Sequence, residues 1–480
     1  MAVGRGHDGH HHPARAGDGV STGAAPADAY ASALSGADYG EAYLEETSWT
    51  SAALEDGRVQ DLASGNDLGL GLRLLRRRDG RVETFFASGP GIGPKTAARL
   101  RANLPAGSGG PAPRFAAAVR CGVIPRADPA RVPLARKVDL LRALDLVIRS
   151  EFPSVRQVTV SYGDRSRRTR VLNSDGTDAR QSLTSVVMSI SVVVEEKGRL
   201  QSGQESIGAQ RGWEVAEGGE PFAAARRAAT RALAKLRAPK AKAGEMPVVI
   251  AAAAGGTFIH EAMGHSLEAD HVQEGSSPAY RGAIGRSVAP ETVTVIDDPT
   301  LPFQRGSFFF DDEGLPAAPT KLVDRGVLTD FLYDRTCAMR EGLRSNGHGR
   351  RESFASRPFP RMSNLYIAPG QDDPAEIVGS LKRGLLVTRM GSGQVNTATG
   401  EFVFEVDEGW WVEDGAVRHL VRDANLLGIG PDALRSIDRV GWDLGWGIGT
   451  CGKEGQSVPV SDGQPTIRMP NLVVGGSHEI

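Results

Sequence analysis

The chain has 480 residues, 40% hydrophobic and 24% charged, with a formal net charge of −2. This is a globular composition, and the length exceeds one ordinary core, so two domains are expected. The near-zero net charge excludes a whole-chain footprint for nucleic acid or an anionic membrane, and three widely spaced cysteines (Cys121, Cys337 and Cys451) exclude a disulfide framework and fit a reducing compartment.

Residues 1–28 are rich in Gly, Ala, His and Asp and read as a disordered tail; HDGHHH at 7–12 belongs to it rather than to a metal site. No secretory pattern opens the sequence, and no apolar run reaches the roughly 18 residues of a membrane helix. A soluble, cytoplasmic protein without nucleic-acid or membrane partners is expected.

Residues 29–240 read as an N-terminal α+β domain of antiparallel strands and helices. Residues 41–75 show short β-type runs separated by EDGR and SGND, both hairpin punctuation. RLLRRRDGR at 73–81 reads as a solvated strand end. Helical patterns cover 96–104, 135–152 and the Ala-rich 221–238, where Pro221 suits a first turn. Between them, 155–206 alternates, is β-branched and carries SDG and EKGR turns, which predicts three strands of an antiparallel meander. PKAKAGEMP at 239–247 reads as a linker. Residues 241–480 then hold many short strands with Gly-rich turns and one helix around His260, which predicts a β-rich sandwich or barrel domain.

GGTFIHEAMGHSLEAD (255–270) carries the chemistry. A hydrolytic zinc site usually takes three protein ligands and keeps one position open. His260 and His265 supply two candidates. Glu261 is placed to take a proton from the attacking water and return it to the leaving amine. The two histidines stand five apart, about 140° around an ideal helix, so a regular helix would splay them. A π-bulge would bring them to one face, and Gly264 makes a distortion cheap. The third ligand is sought among His271, His348, His419, Cys451, Glu268 and Asp270. Cys451 is the best of these, because glycines flank it and leave it able to reach a metal, whereas structural cysteines sit in apolar strands.

HEAMGHSLEAD together with CGKEGQSVPVSDGQPTIRMPNLVVGG resembles the TldD/PmbA family, in its catalytic TldD-type branch. FFFDDEGLPAAPTKLVDRGVLTDFLYDR (308–335), SNGHGRRESFASRPFPRMSNLYIAPG (345–370) and GSGQVNTATGEFVFEV (391–406) resemble further blocks of that family, and the likeness runs from about residue 38 to the C-terminus. The resemblance implies a cytoplasmic zinc metallopeptidase acting on peptides and unfolded segments. One zinc ion per catalytic subunit would sit on His260, His265 and Cys451, with Glu261 as general base. It also implies a dimer, either of identical chains or with a related subunit that lacks the metal motif. Asn396 stands where the family pattern leads one to expect a carboxylate.

Other residues have two readings each. Asp311, Asp312 and Glu313 before Gly314 read first as a turn of solvated acids, with orientation of a metal ligand as the alternative. His348 and Arg350 are candidates for holding a peptide carboxylate or stabilising an oxyanion, against a structural ion pair. Gly393, Gln394 and Val395 are candidates for binding substrate backbone by strand addition. Against the peptidase stand a non-catalytic partner or scaffold subunit and, from an old label of the family, a gyrase-linked regulator. Intact His260, Glu261, His265 and Cys451 argue against the scaffold, and the absence of a basic footprint against the regulator.

Overall fold

The computed structural model describes residues 25–106, 110–396 and 398–476. The first half is built on a long ribbon. Strands β1 (Tyr39–Glu55) and β2 (Arg58–Arg78) meet at Asp56 and Gly57, whose φ values of 50° and 74° suit a two-residue hairpin loop. Only this EDGR site turns the chain. SGND lies inside β2, where Gly65 faces Trp49, and a Cβ there would stand 2.9 Å from the indole. The glycine makes room for a ring rather than a turn.

Strands β3 (Arg81–Pro90), β4 (Val119–Gly122), β5 (Val155–Asn173), β6 (Asp178–Glu196) and β7 (Arg199–Ala209) complete a seven-stranded sheet in the order β3-β2-β1-β5-β6. β7 and β4 both pair with β6. The predicted meander is β5-β6-β7. Helices α1 (Pro94–Ala102), α2 (Leu134–Glu151) and α3 (Glu220–Arg237) match the three helical patterns. α2 and α3 cover the sheet through Leu141, Leu144 and Ile148 and an alanine stripe from Ala224 to Ala232. The stripe lets α3 sit flush on β7, because a Cβ on Gly203 would lie 2.1 Å from the Ala228 carbonyl oxygen.

The tail expected over 1–28 falls outside the described residues up to 24. Its last residues do not fit the expectation, since Ala27–Leu34 forms a 3₁₀ helix that buries Tyr30 and Leu34 in the core around β2. Arg73 also departs from the solvated reading of 73–81: it is 1% exposed, and only the residues from Arg77 onward face solvent.

Among the described residues, the second half contains fifteen further strands: β8 (Gly244–Ile250), β9 (Val295–Asp297), β10 (Thr320–Asp324), β11 (Val327–Leu328), β12 (Gly349–Arg350), β13 (Phe359–Pro360), β14 (Asn364–Ile367), β15 (Arg383–Val395), β16 (Glu401–Glu413), β17 (Ala416–Val421), β18 (Ala424–Ile429), β19 (Arg439–Val440), β20 (Gly445–Lys453), β21 (Gln456–Gln464) and β22 (Ile467–Gly475). β15-β8-β22-β18-β16 forms a ring, because β16 pairs back to β15. The β-rich half is therefore a closed five-stranded barrel beside a six-stranded sheet, β11-β10-β9-β14-β21-β20. One apolar core joins them through Val248, Phe258, Leu365, Phe404 and Val460. Among the described residues no helix is long and apolar enough to cross a membrane.

Candidate metal centre

Helix α4 (Thr257–Ala262) enters this core between barrel and sheet. Two glycines admit it. Gly255 has φ 71°, and a Cβ on Gly256 would lie 2.4 Å from the Gly463 amide nitrogen of β21. Phe258 then meets the rings of Phe402 and Phe404 at 6.0 and 6.3 Å. The helix stops at Ala262. Met263 leaves helical geometry (φ −137°, ψ −43°), and Gly264–Leu267 continues as a 3₁₀ turn.

The departure from regular geometry demanded by the five-residue spacing is thus present between the histidines, as a break rather than a π-bulge. Gly264 has a different job from the expected one. Its φ is not positive, and a Cβ there would lie 2.1 Å from Met362 Sδ, so it permits close packing. The break turns the His260 and His265 rings toward each other, with centroids 4.9 Å apart and planes at 88°.

Cys451 arrives from the β20–β21 hairpin, where it faces Val458. Donor atoms of His260, His265 and Cys451 all lie within 4.8 Å of one another, and Sγ is 3.7 Å from His265 Nε2. Each imidazole is oriented from its far side. His260 Nδ1 lies 2.7 Å from Asp462 Oδ1, and His265 Nδ1 lies 3.1 Å from Glu268 Oε2. A carboxylate accepts, so Nδ1–H donates in both pairs, and Nε2 is the ring atom left to face Cys451 or a metal ion.

The electrostatics favour a positive charge among these atoms. Burial opposes charge on His260, yet Asp462 holds its pKa well above the ordinary value. His265 is likewise pushed up to about 9 by Glu268 against burial. Burial pushes the Cys451 thiol up, but hydrogen bonds from His260 and His265 bring it down to about 5. Two imidazoles and a thiolate are the donor set that zinc favours, and their convergence fits such an ion.

Glu261 lines a cavity of about 380 Å³ with His260, His265, His271 and Cys451. Burial raises its pKa, partly opposed by the two histidines. Val395, at the end of β15, lines the same cavity, while Gly393 and Gln394 precede it and pair with Phe404 and Val403.

Of the other third-ligand candidates His271 also lines this cavity, but each is engaged by other partners or lies elsewhere. Lys453 Nζ bridges Glu268 (3.1 Å) and Asp270 (2.7 Å), placing a cation within the Glu268–Asp270–His271 cluster. His271 donates from Nδ1 to the His265 carbonyl at 2.9 Å. His419 is exposed on β17. His348 is fully buried against Asp297 and Asn346, and Arg350 donates to the carbonyls of Met362 and Pro459. Neither is among the residues lining the metal cavity.

The solvated reading of Asp311, Asp312 and Glu313 does not hold, because all three are buried. Asp311 accepts the N–H groups of Glu313, Leu315 and Gly349, and Glu313 meets Arg73 at 2.5 Å. They tie this loop to the first sheet rather than to a metal donor. Conversely, Asp462, Glu268 and Lys453 carry orienting contacts that sequence reasoning did not assign. Their only signal was proximity to the motifs, in SDGQP, HSLEAD and CGKEG.

Comparison with known proteins agrees over most of the length. The chain matches PmbA/TldA metallopeptidase domain 1 over residues 40–98, the central domain over 127–236 and the C-terminal domain over 243–476. It is 34% identical over 464 residues to a metalloprotease TldD homolog of Haemophilus influenzae, covering 92% of this chain and 93% of that one. It is 35% identical to a metalloprotease of Methanothermobacter thermautotrophicus, covering 90% and 94%, and 28% identical to a zinc metalloprotease TldD homolog of Saccharolobus solfataricus, covering 71% and 76%. The same fold occurs in a putative modulator of a DNA gyrase from Thermotoga maritima (TM-score 0.73, 22% identity, 91% of this chain and 96% of that one). It recurs in TldE from Thermococcus kodakarensis (TM-score 0.68, 18% identity, 92% and 98%). With this fold, these relatives and the convergent donor set, the chain belongs to the PmbA/TldD family of metallopeptidases.

Proposed function

We propose that the protein is a zinc-dependent peptidase acting on peptides or unfolded protein segments. The observation that carries this reading is the convergence of His260, His265 and Cys451 beside Glu261 on one cavity. These three side chains would hold one zinc ion, which supplies Lewis-acid activation of water and of the peptide carbonyl. Glu261, buried enough to have a raised pKa, takes the proton from the attacking water and delivers it to the leaving nitrogen. Asp462 and Glu268 hold the imidazoles in the required tautomer. Val395 at the rim suits an extended substrate adding to the end of β15 around Gly393 and Gln394, a mode that reads backbone and tolerates many side chains.

The functional unit is proposed to be a dimer, either of this chain or with a related non-catalytic subunit. Three free cysteines fit a reducing, cytoplasmic setting. Substitution Glu261→Ala tests the assignment. Hydrolysis of a casein-derived peptide should fall by at least about a hundredfold, while elemental analysis still finds one zinc per chain. Unchanged hydrolysis would overturn the role of Glu261, and protein purified without zinc would favour the scaffold reading.

A further inference from the structure

A cavity of about 60 Å³ lies where β5 and β6 face residues 305–312 and β21. Four guanidinium groups line it: Arg165, Arg167, Arg305 and Arg350. Glu45 answers the first two, at 3.0 and 3.1 Å. The other two form no ion pair among the described residues. Arg350 is only 7% exposed and donates to two carbonyls. Arg305 donates to the Gly449 carbonyl and to Thr450 Oγ1, and its Nε is buried without a partner.

Asp311 and Asp312 also line the cavity, but their oxygens are engaged. Asp311 accepts three backbone N–H groups. Asp312 accepts the Arg351 N–H at 2.8 Å and faces Arg167 at 3.6 Å. Two cations are left over. A guanidinium does not shed its proton, so burying it without a counter-charge is costly. Burial lowers the pKa of both Arg305 and Arg350; for Arg350 the neighbouring Arg361 adds to the fall, and Asp312 and Asp297 oppose it only in part. The space takes several waters or one small head group, not a residue.

We propose that Arg305 and Arg350, with Arg165 and Arg167 behind them, form a site for an oxyanion, a carboxylate or a phosphate. Its position gives the carboxylate meaning. Thr450, which Arg305 touches, also lines the metal cavity. The C-terminal carboxylate of a peptide is therefore one source, which rests on the peptidase reading; free phosphate is the other, which does not.

Calorimetric titration of inorganic phosphate into the zinc-loaded full chain tests the site. Saturable binding is expected, weaker by about tenfold or more in Arg305→Gln at unchanged zinc content, since one charge-assisted contact is lost. Arg350→Lys keeps the charge but not the fork, and should weaken binding less. No saturable binding, or equal affinity in Arg305→Gln, would overturn the proposal. A second titration, into the Glu261→Ala chain, compares a tripeptide with its C-terminal amide. Preference for the acid that disappears with Arg305→Gln identifies the peptide terminus as the source. Equal binding of acid and amide, with phosphate still sensitive to Arg305, identifies the free anion. Both titrations read binding, so a failure of hydrolysis leaves their outcome intact.

Discussion

His260 is aimed by a residue 202 positions away. Asp462 Oδ1 accepts from its Nδ1 at 2.7 Å and fixes both tautomer and ring plane. Asp462→Ala should therefore lower zinc affinity by about 10–100-fold without touching a donor atom, as loss of such carboxylate partners usually does. Competition with a chromogenic chelator measures it, and wild-type affinity in the variant would deny Asp462 this role. The proposed donor set of His260, His265 and Cys451 was legible in the sequence as a convergence of side chains, because the two histidines share one short segment with Glu261 and Cys451 is marked by its neighbouring glycines. The orienting groups were not. Asp462, Glu268 and Lys453 are ordinary charged residues in sequence, and only the β20–β21 hairpin brings Asp462 to His260 and Lys453 to Glu268.

Helix α4 illustrates what spacing tells and what it leaves open. Five residues between histidines require a departure from regular geometry, but not its form. The form is decided by Met362 and Leu365, which fill the space beside Gly264 and leave room only for a hydrogen there. Gly264→Ala pushes a methyl group toward Met362 Sδ at 2.1 Å and Leu365 Cδ2 at 2.8 Å. Met362 is fully buried and has little freedom to yield. The substitution should cost about 1–3 kcal/mol in overpacking, read as a lower denaturation midpoint, and should shift His265 enough to weaken zinc binding as well. A stable variant with unchanged zinc affinity would show that the neighbours yield. The regular elements were more legible than this junction. Helices α1, α2 and α3 and the β5-β6-β7 meander follow from local periodicity, whereas closure of the barrel depends on β15 meeting β16 and β8, and β22 meeting β8 and β18, which no local pattern encodes.

The two halves of the molecule are joined by buried charge, which composition could not reveal. Arg73 of β2 meets Glu41 at 2.7 Å, Glu313 at 2.5 Å and Asp334 at 3.8 Å, and Arg351 donates to the other oxygen of Glu41. Two guanidiniums thus serve three carboxylates, all essentially out of water. One carboxylate is in excess, and the group that suffers is Glu313. Burial pushes its pKa up to about 8, Arg73 opposes, and Asp334, Asp311 and Glu41 add to the rise. Burial likewise opposes charge on Glu41, but Arg73 and Arg351 hold its pKa below the ordinary value. The two groups act in opposite directions on stability. The contribution of Glu41 is present above the unfolded carboxylate pKa of about 4.3 and is lost as pH falls through its depressed folded value. The contribution of protonated Glu313 is fully present below about 4.3 and is lost as pH rises through its folded pKa of about 8. Stability should therefore decline as pH rises from roughly 5 to 9. Glu313→Gln keeps one acceptor oxygen, which serves Arg73 or the Arg335 N–H but not both, and removes the titration, so its stability should be lower throughout but change less over that range. Urea denaturation at several pH values reads the slopes. Parallel slopes in the two proteins would mean that Glu313 stays ionised against Arg73 throughout, and that the excess charge at this junction is carried by another acid.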